Sequence, residues 1–172
     1  MVHRAPLPRR RAPAQLRAGG RGGGARTKRV RISTDICLAP FAHPLRLAED
    51  LAVLDNLSNG RMELGLGMGY APHEFKGFGI PQSRRVSLTE ELVEILQLAW
   101  SGERFTFHGK RYHVEDVAVF PKPVQPGGPP LWIAGMSRRP RNVPPGTART
   151  CCPGGPLGGA RPVAGAAVGE RP

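Results

Sequence analysis

Two periodicities take turns along the middle of the chain. Val30, Ile32, Thr34, Ile36 and Leu38 are interleaved with Arg31, Ser33, Asp35 and Cys37. This period of two predicts a strand, stopped by Pro40. His43-Pro44 predicts a helix entry, with proline at the first helical position, where its missing N–H costs nothing. Leu47, Leu51 and Leu54, with Ala48 and Ala52, then give one apolar helical face, and Gly60 a stop. Met62, Leu64 and Leu66 alternate with Glu63, Gly65 and Gly67 in a second predicted strand. After a loop through Gly79 and Pro81, the spacing of Leu88, Leu92, Ile95, Leu96 and Ala99 predicts a second helix. It starts at about Ser83 or Ser87 and ends at Gly102, and Ser87 to Glu90 reads as a capping box. Phe105 to Val114 predicts a hairpin turning at Gly109-Lys110. Pro121 to Pro130 predicts an extended loop, and Leu131 to Ala134 a short buried strand.

Strand, helix, strand, helix, hairpin, strand is the order of an α/β protein with a parallel sheet and right-handed crossovers. A Rossmann layout and a barrel both fit it.

Charge changes the picture once the chain is divided. The net charge of +12 suggests a nucleic-acid binder. Yet residues 1–28 hold 8 of the 25 basic residues and no acid, and residues 138–172 hold 6 with a single acid, Glu170. Residues 29–137 carry a net charge of −1, and all ten aromatic residues lie between Phe41 and Trp132. The two ends are Arg, Pro, Gly and Ala text without periodicity, which cannot bury enough apolar surface to fold. They read as disordered basic tails, or as the out-of-frame product of a GC-rich gene, since those four residues have GC-rich codons. Basic arms for nucleic acid are the alternative, but no aromatic residue is interleaved for base stacking. No run approaches the roughly 20 apolar residues of a membrane span, and the start has no apolar signal region. The expected location is cytoplasmic, with no membrane partner. Cys37, Cys151 and Cys152 form neither a disulfide framework nor a zinc site. Cys37 reads as a small buried hydrophobe.

Two segments could carry chemistry. Gly65 to Tyr70 (GLGMGY) follows a strand, and its glycines allow a backbone to approach a phosphate or a flat ring. It is not GxGxxG, and no helix is expected directly after it, because the chain runs through Pro72. Ala134 to Ser137 is a second strand-to-loop transition, where backbone N–H groups and the Ser137 hydroxyl could hold a phosphate. The following RRPRNVPP text cannot continue a helix. No histidine stands at metal-ligand spacing, and Glu90, Glu91 and Glu94 read as a solvated helix face.

Taken together, RTKRVRISTDICLAPFAHPLRLAEDLAVLDNLSNGRMELGLGMGY, HEFKGFGIP and RFTFHGKRYHVEDVAVFPKPVQPGGPPLWIAGMS resemble the bacterial luciferase-like, flavin-dependent monooxygenases. The resemblance covers Arg26 to Ser137, 112 of 172 residues. It implies a partial TIM-type (β/α)8 barrel flanked by the tails 1–25 and 138–172. It also implies oxidation of a small organic substrate with reduced FMN and molecular oxygen, or hydride transfer with a deazaflavin. A separate flavin reductase and a homo-oligomer are further implied partners. In relatives the strand matching Ile32 to Leu38 carries a bulge with a non-prolyl cis peptide against the flavin. Here that bond matches Asp35–Ile36, with Thr34 beside it. The loop matching Gly67, Met68 and Tyr70 lines the flavin, and Met136-Ser137 matches the phosphate-binding turn. Some relatives place arginine where Met68 stands, a charge that methionine cannot supply. The resemblance assigns no catalytic acid or base. A full barrel takes about 250 residues, so the expectation is a truncated copy with weak flavin binding and little or no activity. A non-enzymatic binding module and an accessory subunit that completes its barrel with a partner chain are the competing readings.

Overall fold

The apolar positions at strand and helix spacing meet in one core. A computed structural model describes residues 26–134 and 148–151. Two short strand pieces, β1 (Ile32–Ser33) and β2 (Cys37–Leu38), lead through a 3₁₀ turn (Ala39–Phe41) into helix α1 (Pro44–Ser58). Strand β3 (Met62–Gly67) follows, then a short helix α2 (Pro72–Gly77), a second 3₁₀ turn (Gln82–Arg84) and the long helix α3 (Arg85–Trp100). A hairpin of β4 (Phe105–His108) and β5 (His113–Val117) precedes β6 (Leu131–Ala134) and β7 (Ala148–Cys151). Leu47, Leu51 and Leu54 of α1 pack with Leu92, Ile95 and Leu96 of α3 over Met62, Leu64 and Leu66 of β3 and Leu131 and Ile133 of β6. Each such side chain contributes roughly 1.5–3 kcal/mol on leaving water. The Trp100 indole N–H donates to the Ala48 carbonyl at 3.2 Å and joins the two helices.

All pairings in the main sheet are parallel, and both β1 and β2 lie beside β3, followed by β6 and then β7. Each new strand adds to the same edge. A Rossmann half reverses after three strands, so four consecutive positions in one direction favour the barrel-type winding. Residues 148–151 fall in the segment expected to be unstructured. Their pairing with β6 corrects that expectation for these four residues: an edge backbone offers N–H and C=O groups that any chain can satisfy.

Three boundaries differ from expectation. A helix does follow the GLGMGY loop, because Pro72 takes its first position instead of blocking it. Helix α3 begins at Arg85, continuing directly from the 3₁₀ turn, so Ser87 lies inside it and caps nothing. Its hydroxyl donates to the Arg84 carbonyl at 3.1 Å. Glu91, expected on a solvated face, is buried.

Polar clamps fasten the end of the sheet where the strands begin. The chain leaves α1 through Asn59 (φ 55°) and Gly60 (φ 73°), a left-handed exit that Asn and Gly tolerate. The next residue, Arg61, donates to Ser58 O at 2.7 Å, Thr27 Oγ1 at 2.9 Å, Thr27 O at 2.8 Å and Val30 O at 2.7 Å. It thereby holds the approach to β1 against the approach to β3. The fully buried Asp55 accepts from the Gln125 backbone N–H at 2.9 Å and from Gln125 Nε2 at 2.7 Å. Gln125 Nε2 also reaches Met62 O at 2.7 Å, so the proline-rich loop is tied to β3. No helix among the described residues is long and apolar enough to cross a membrane.

Replacing Arg61 by Met strips three backbone carbonyls of a charged donor, and should cost about 2–4 kcal/mol of stability in urea unfolding. An unchanged midpoint would show that water replaces the guanidinium without loss. Burial pushes the Cys37 thiol from its ordinary 9.0 up to about 11. The folded chain then holds that proton more tightly than the unfolded one. This contribution is intact below pH 9 and is lost as the pH rises towards about 11. Cys37→Ala should flatten the alkaline fall in unfolding midpoint across that window, whereas equal slopes in both chains would assign the fall elsewhere.

Candidate functional site

At the other end of the sheet the strands finish in an apolar, glycine-rich surface. Ile32 and Ser33 pair with Met62 and Glu63, whereas Cys37 and Leu38 pair with Leu66 and Gly67. One extra residue therefore lies on the first strand between the two pairings, a bulge. The Asp35–Ile36 peptide within it is cis. The Thr34 hydroxyl fills the gap: it donates to Gly65 O at 2.9 Å and accepts from Gly65 N–H at 2.9 Å. The ladder that the bulge interrupts is thus completed by a side chain. A Cβ on Gly65 would collide with the Thr34 carbonyl, so only glycine allows the approach.

Within the bulge, Ile36 is 42% exposed. A Cβ on Gly67 would stand 3.0 Å from Ile36 Cγ2, so the missing side chain leaves Ile36 room across the strand end. Met68 follows half-buried, and Tyr70 is 74% exposed. The loop between them is rigidly backed. Gly69 (φ 72°) lies over the Phe75 ring, Phe41 stacks on Phe78 at 4.4 Å between centroids, and Phe41 meets Phe75 edge-on at 4.8 Å. Gln82 Nε2 donates to the Tyr70 carbonyl at 2.9 Å.

The structure places Thr34, Asp35 and Ile36 in the bulge between β1 and β2, where Thr34 bonds Gly65 and Ile36 lies beside Gly67, while Met68 and Tyr70 follow the carboxyl end of β3. Asp35 is exposed on the bulge. Met136 and Ser137 lie outside the described residues. The Phe41–Phe75–Phe78 support was not read from the sequence; the three-residue spacing of Phe75 and Phe78 on a short helix was its available signal. The surface offers apolar and aromatic area and close backbone approach. Among the described residues no group of His, Cys, Asp or Glu could hold a metal ion. This arrangement suits stacking against a flat ring.

Glu91 marks the second place where the sequence reading fell short. Its carboxylate accepts from the backbone N–H groups of Lys110, Arg111 and Tyr112 at 3.0, 2.8 and 3.0 Å, clasping the hairpin tip to α3. A Cβ on Gly109 would run into that carboxylate. Burial, then the Glu91 charge, holds the Tyr112 phenol above its ordinary range. Three similar glutamates on one helix carry no signal of which one a distant hairpin will meet.

The sequence profile of the luciferase-like monooxygenases matches residues 23–146. The chain belongs to this family. It is 30% identical over 122 residues to the FMNH2-dependent dimethylsulfone monooxygenase of Pseudomonas putida, covering 69% of this chain and 33% of that one. It is 34% identical over 113 residues to the F420-dependent glucose-6-phosphate dehydrogenase of Kineococcus radiotolerans, covering 64% and 33%. Among solved structures, the monooxygenase RslO1 from Streptomyces bottropensis superposes with a TM-score of 0.66 at 34% identity, covering 69% of this chain and 36% of that one. The chain spans about a third of the length of the curated relatives it matches.

Thr34→Val keeps the shape but removes both hydrogen bonds to Gly65. We expect a loss of about 1–3 kcal/mol in unfolding free energy, most of it restored in Thr34→Ser. A neutral Thr34→Val would show that the bulge does not need its side-chain bridge.

Proposed function

We propose that the bulge between β1 and β2, together with the carboxyl end of β3, is one wall of a flavin site in a luciferase-like oxidoreductase of TIM-barrel type. The observation that carries the reading is the bulge at Thr34–Ile36, which sets an exposed Ile36 beside the side-chain-free Gly67. The fit to a flavin is favourable: the wall is apolar, glycine-rich and free of a blocking Cβ where a planar ring would lie. Ile36, Met68 and Tyr70 would flank the ring system, and Thr34 and Asp35 would hold the bulge in shape. Met136 and Ser137 are proposed for the phosphate end. When bound, the cofactor supplies the redox chemistry: oxygen activation with reduced FMN, or hydride transfer with a deazaflavin. The chain's own residues contribute binding, orientation and exclusion of water from one face. An organic substrate, molecular oxygen and a separate flavin reductase complete the proposed oxygenase reaction, as the FMNH2-dependent relative suggests. The described residues supply one wall of such a site, and one wall alone predicts weak binding.

The test is titration of the purified chain with riboflavin, which carries no phosphate for the basic tails to attract. We expect reversible quenching of flavin fluorescence with Kd on the order of 10–100 μM, abolished in Ile36→Asp and retained in Val86→Asp, a control at another exposed apolar position. Tight stoichiometric binding would overturn the one-wall reading. Quenching that survives Ile36→Asp would overturn the assigned surface.

A further inference from the structure

A second concavity lies beside the flavin wall, and its chemistry differs. The segment after β2, the loop before α3, the first turns of α3 and the hairpin tip enclose an open cleft of about 420 Å³. Phe41, Ile80 and Leu88 line it with apolar surface, and Arg84, Lys110 and Arg111 with positive charge. Its volume lies within the range of small-molecule sites.

Two features make this more than a patch of surface cations. The first is the absence of ion pairs. Among the described residues none of these three cations forms an ion pair, although residues 29–137 hold more acids than bases. No carboxylate lines the cleft. Arg111 Nε donates at 2.9 Å to the Ser87 hydroxyl, a neutral partner that fixes the side chain without cancelling its charge. The second is a built wall. The nearest acid on α3, Glu91, is occupied by the three backbone N–H groups of the hairpin tip. Those contacts set Lys110, Arg111 and Tyr112 in place before any ligand arrives. Tyr112 is further held by a long 3.5 Å contact from its hydroxyl to the Ala42 carbonyl and by an edge contact with His43. On the opposite wall, Phe41 is stacked on Phe78 and cannot swing away freely.

We propose that this cleft binds an amphipathic organic anion: a phosphate or carboxylate held by Arg84, Lys110 and Arg111, with its apolar body on Phe41, Ile80 and Leu88. Three cations lining one cleft that holds no carboxylate favour an anion. The apolar floor favours an organic body over a bare ion. The site shares none of the residues assigned to the flavin wall and does not rest on that assignment.

Phenyl phosphate is the probe, titrated into the full chain at low salt and followed by amide chemical shifts of the 15N-labelled protein. We expect saturable shifts at Arg84, Lys110, Arg111 and Tyr112, and binding about tenfold weaker in each of Arg84→Gln and Lys110→Gln. Both side chains are exposed, so the variants should keep their unfolding midpoints. Inorganic phosphate should bind at least about tenfold more weakly than phenyl phosphate, and phenol should give no saturable shift at the cleft. The arginine-rich tails compete for anions and provide the main contrary outcome. If phenyl phosphate binds equally well to the Arg84→Gln/Lys110→Gln double variant, the anion sits on the tails and the proposal falls. It falls equally if inorganic phosphate matches phenyl phosphate, since the apolar floor then contributes nothing. Riboflavin binding that is lost in Ile36→Asp but retained in the double variant would keep the two sites distinct.

Discussion

The close approach of Thr34 to Gly65 governs the described half of this fold. A bulged strand cannot keep every ladder bond to its neighbour, and each buried backbone group left alone would cost about 1–3 kcal/mol. Here the Thr34 hydroxyl serves both the N–H and the C=O of Gly65. It can do so only because Gly65 has no side chain to hold the strands apart. Beside that contact Ile36 turns towards the surface, with the side-chain-free Gly67 leaving it room.

The molecule divides its labour between the two ends of the sheet. Where strands begin, charged and polar side chains bind loop backbone: Arg61 at the approach to β1, and Asp55 with Gln125 at the approach to β6. Those contacts join residues distant in sequence and are spent on structure. Where strands finish, Ile36, Met68 and Tyr70 are apolar or aromatic, and the loop through Gly69 rests on a packed Phe41–Phe75–Phe78 cluster. In barrels of this type the carboxyl ends build the site and the amino ends carry stability. The same polarity is visible here in a few residues at each end.

Elements with long periodic runs were legible in the sequence. The faces of α1 and α3, the alternation of β3 and the hairpin all depend on local spacing, and local spacing is what a sequence displays. The bulge was not legible from alternation, because Val30 to Leu38 alternates without a break. Residue counting shows the extra residue only once β3 is laid alongside, and the resemblance to relatives supplied the position Asp35–Ile36. Glu91 was misread for the same reason. Its burial depends on a hairpin returning some twenty residues later, which its helical neighbours do not encode. Pro72 was misread because proline both breaks helices and starts them, and only the following HEFKG segment decides which. Strand β7 was hidden because pairing at a sheet edge asks for backbone, not for side-chain pattern.

Relatives of this chain include FMNH2-dependent and F420-dependent enzymes, and the proposed flavin wall is compatible with either cofactor. FMN and its deaza counterpart present much the same flat tricyclic face and differ in ring chemistry and in what is attached. A wall in which Ile36, Gly67, Met68 and Tyr70 meet the ring would recognise a face through area and shape. Such a wall serves either cofactor. On that reading the discrimination belongs to groups that meet the polar edge and the anionic tail, and Met68 is a position in this segment where one substitution would add such a charge.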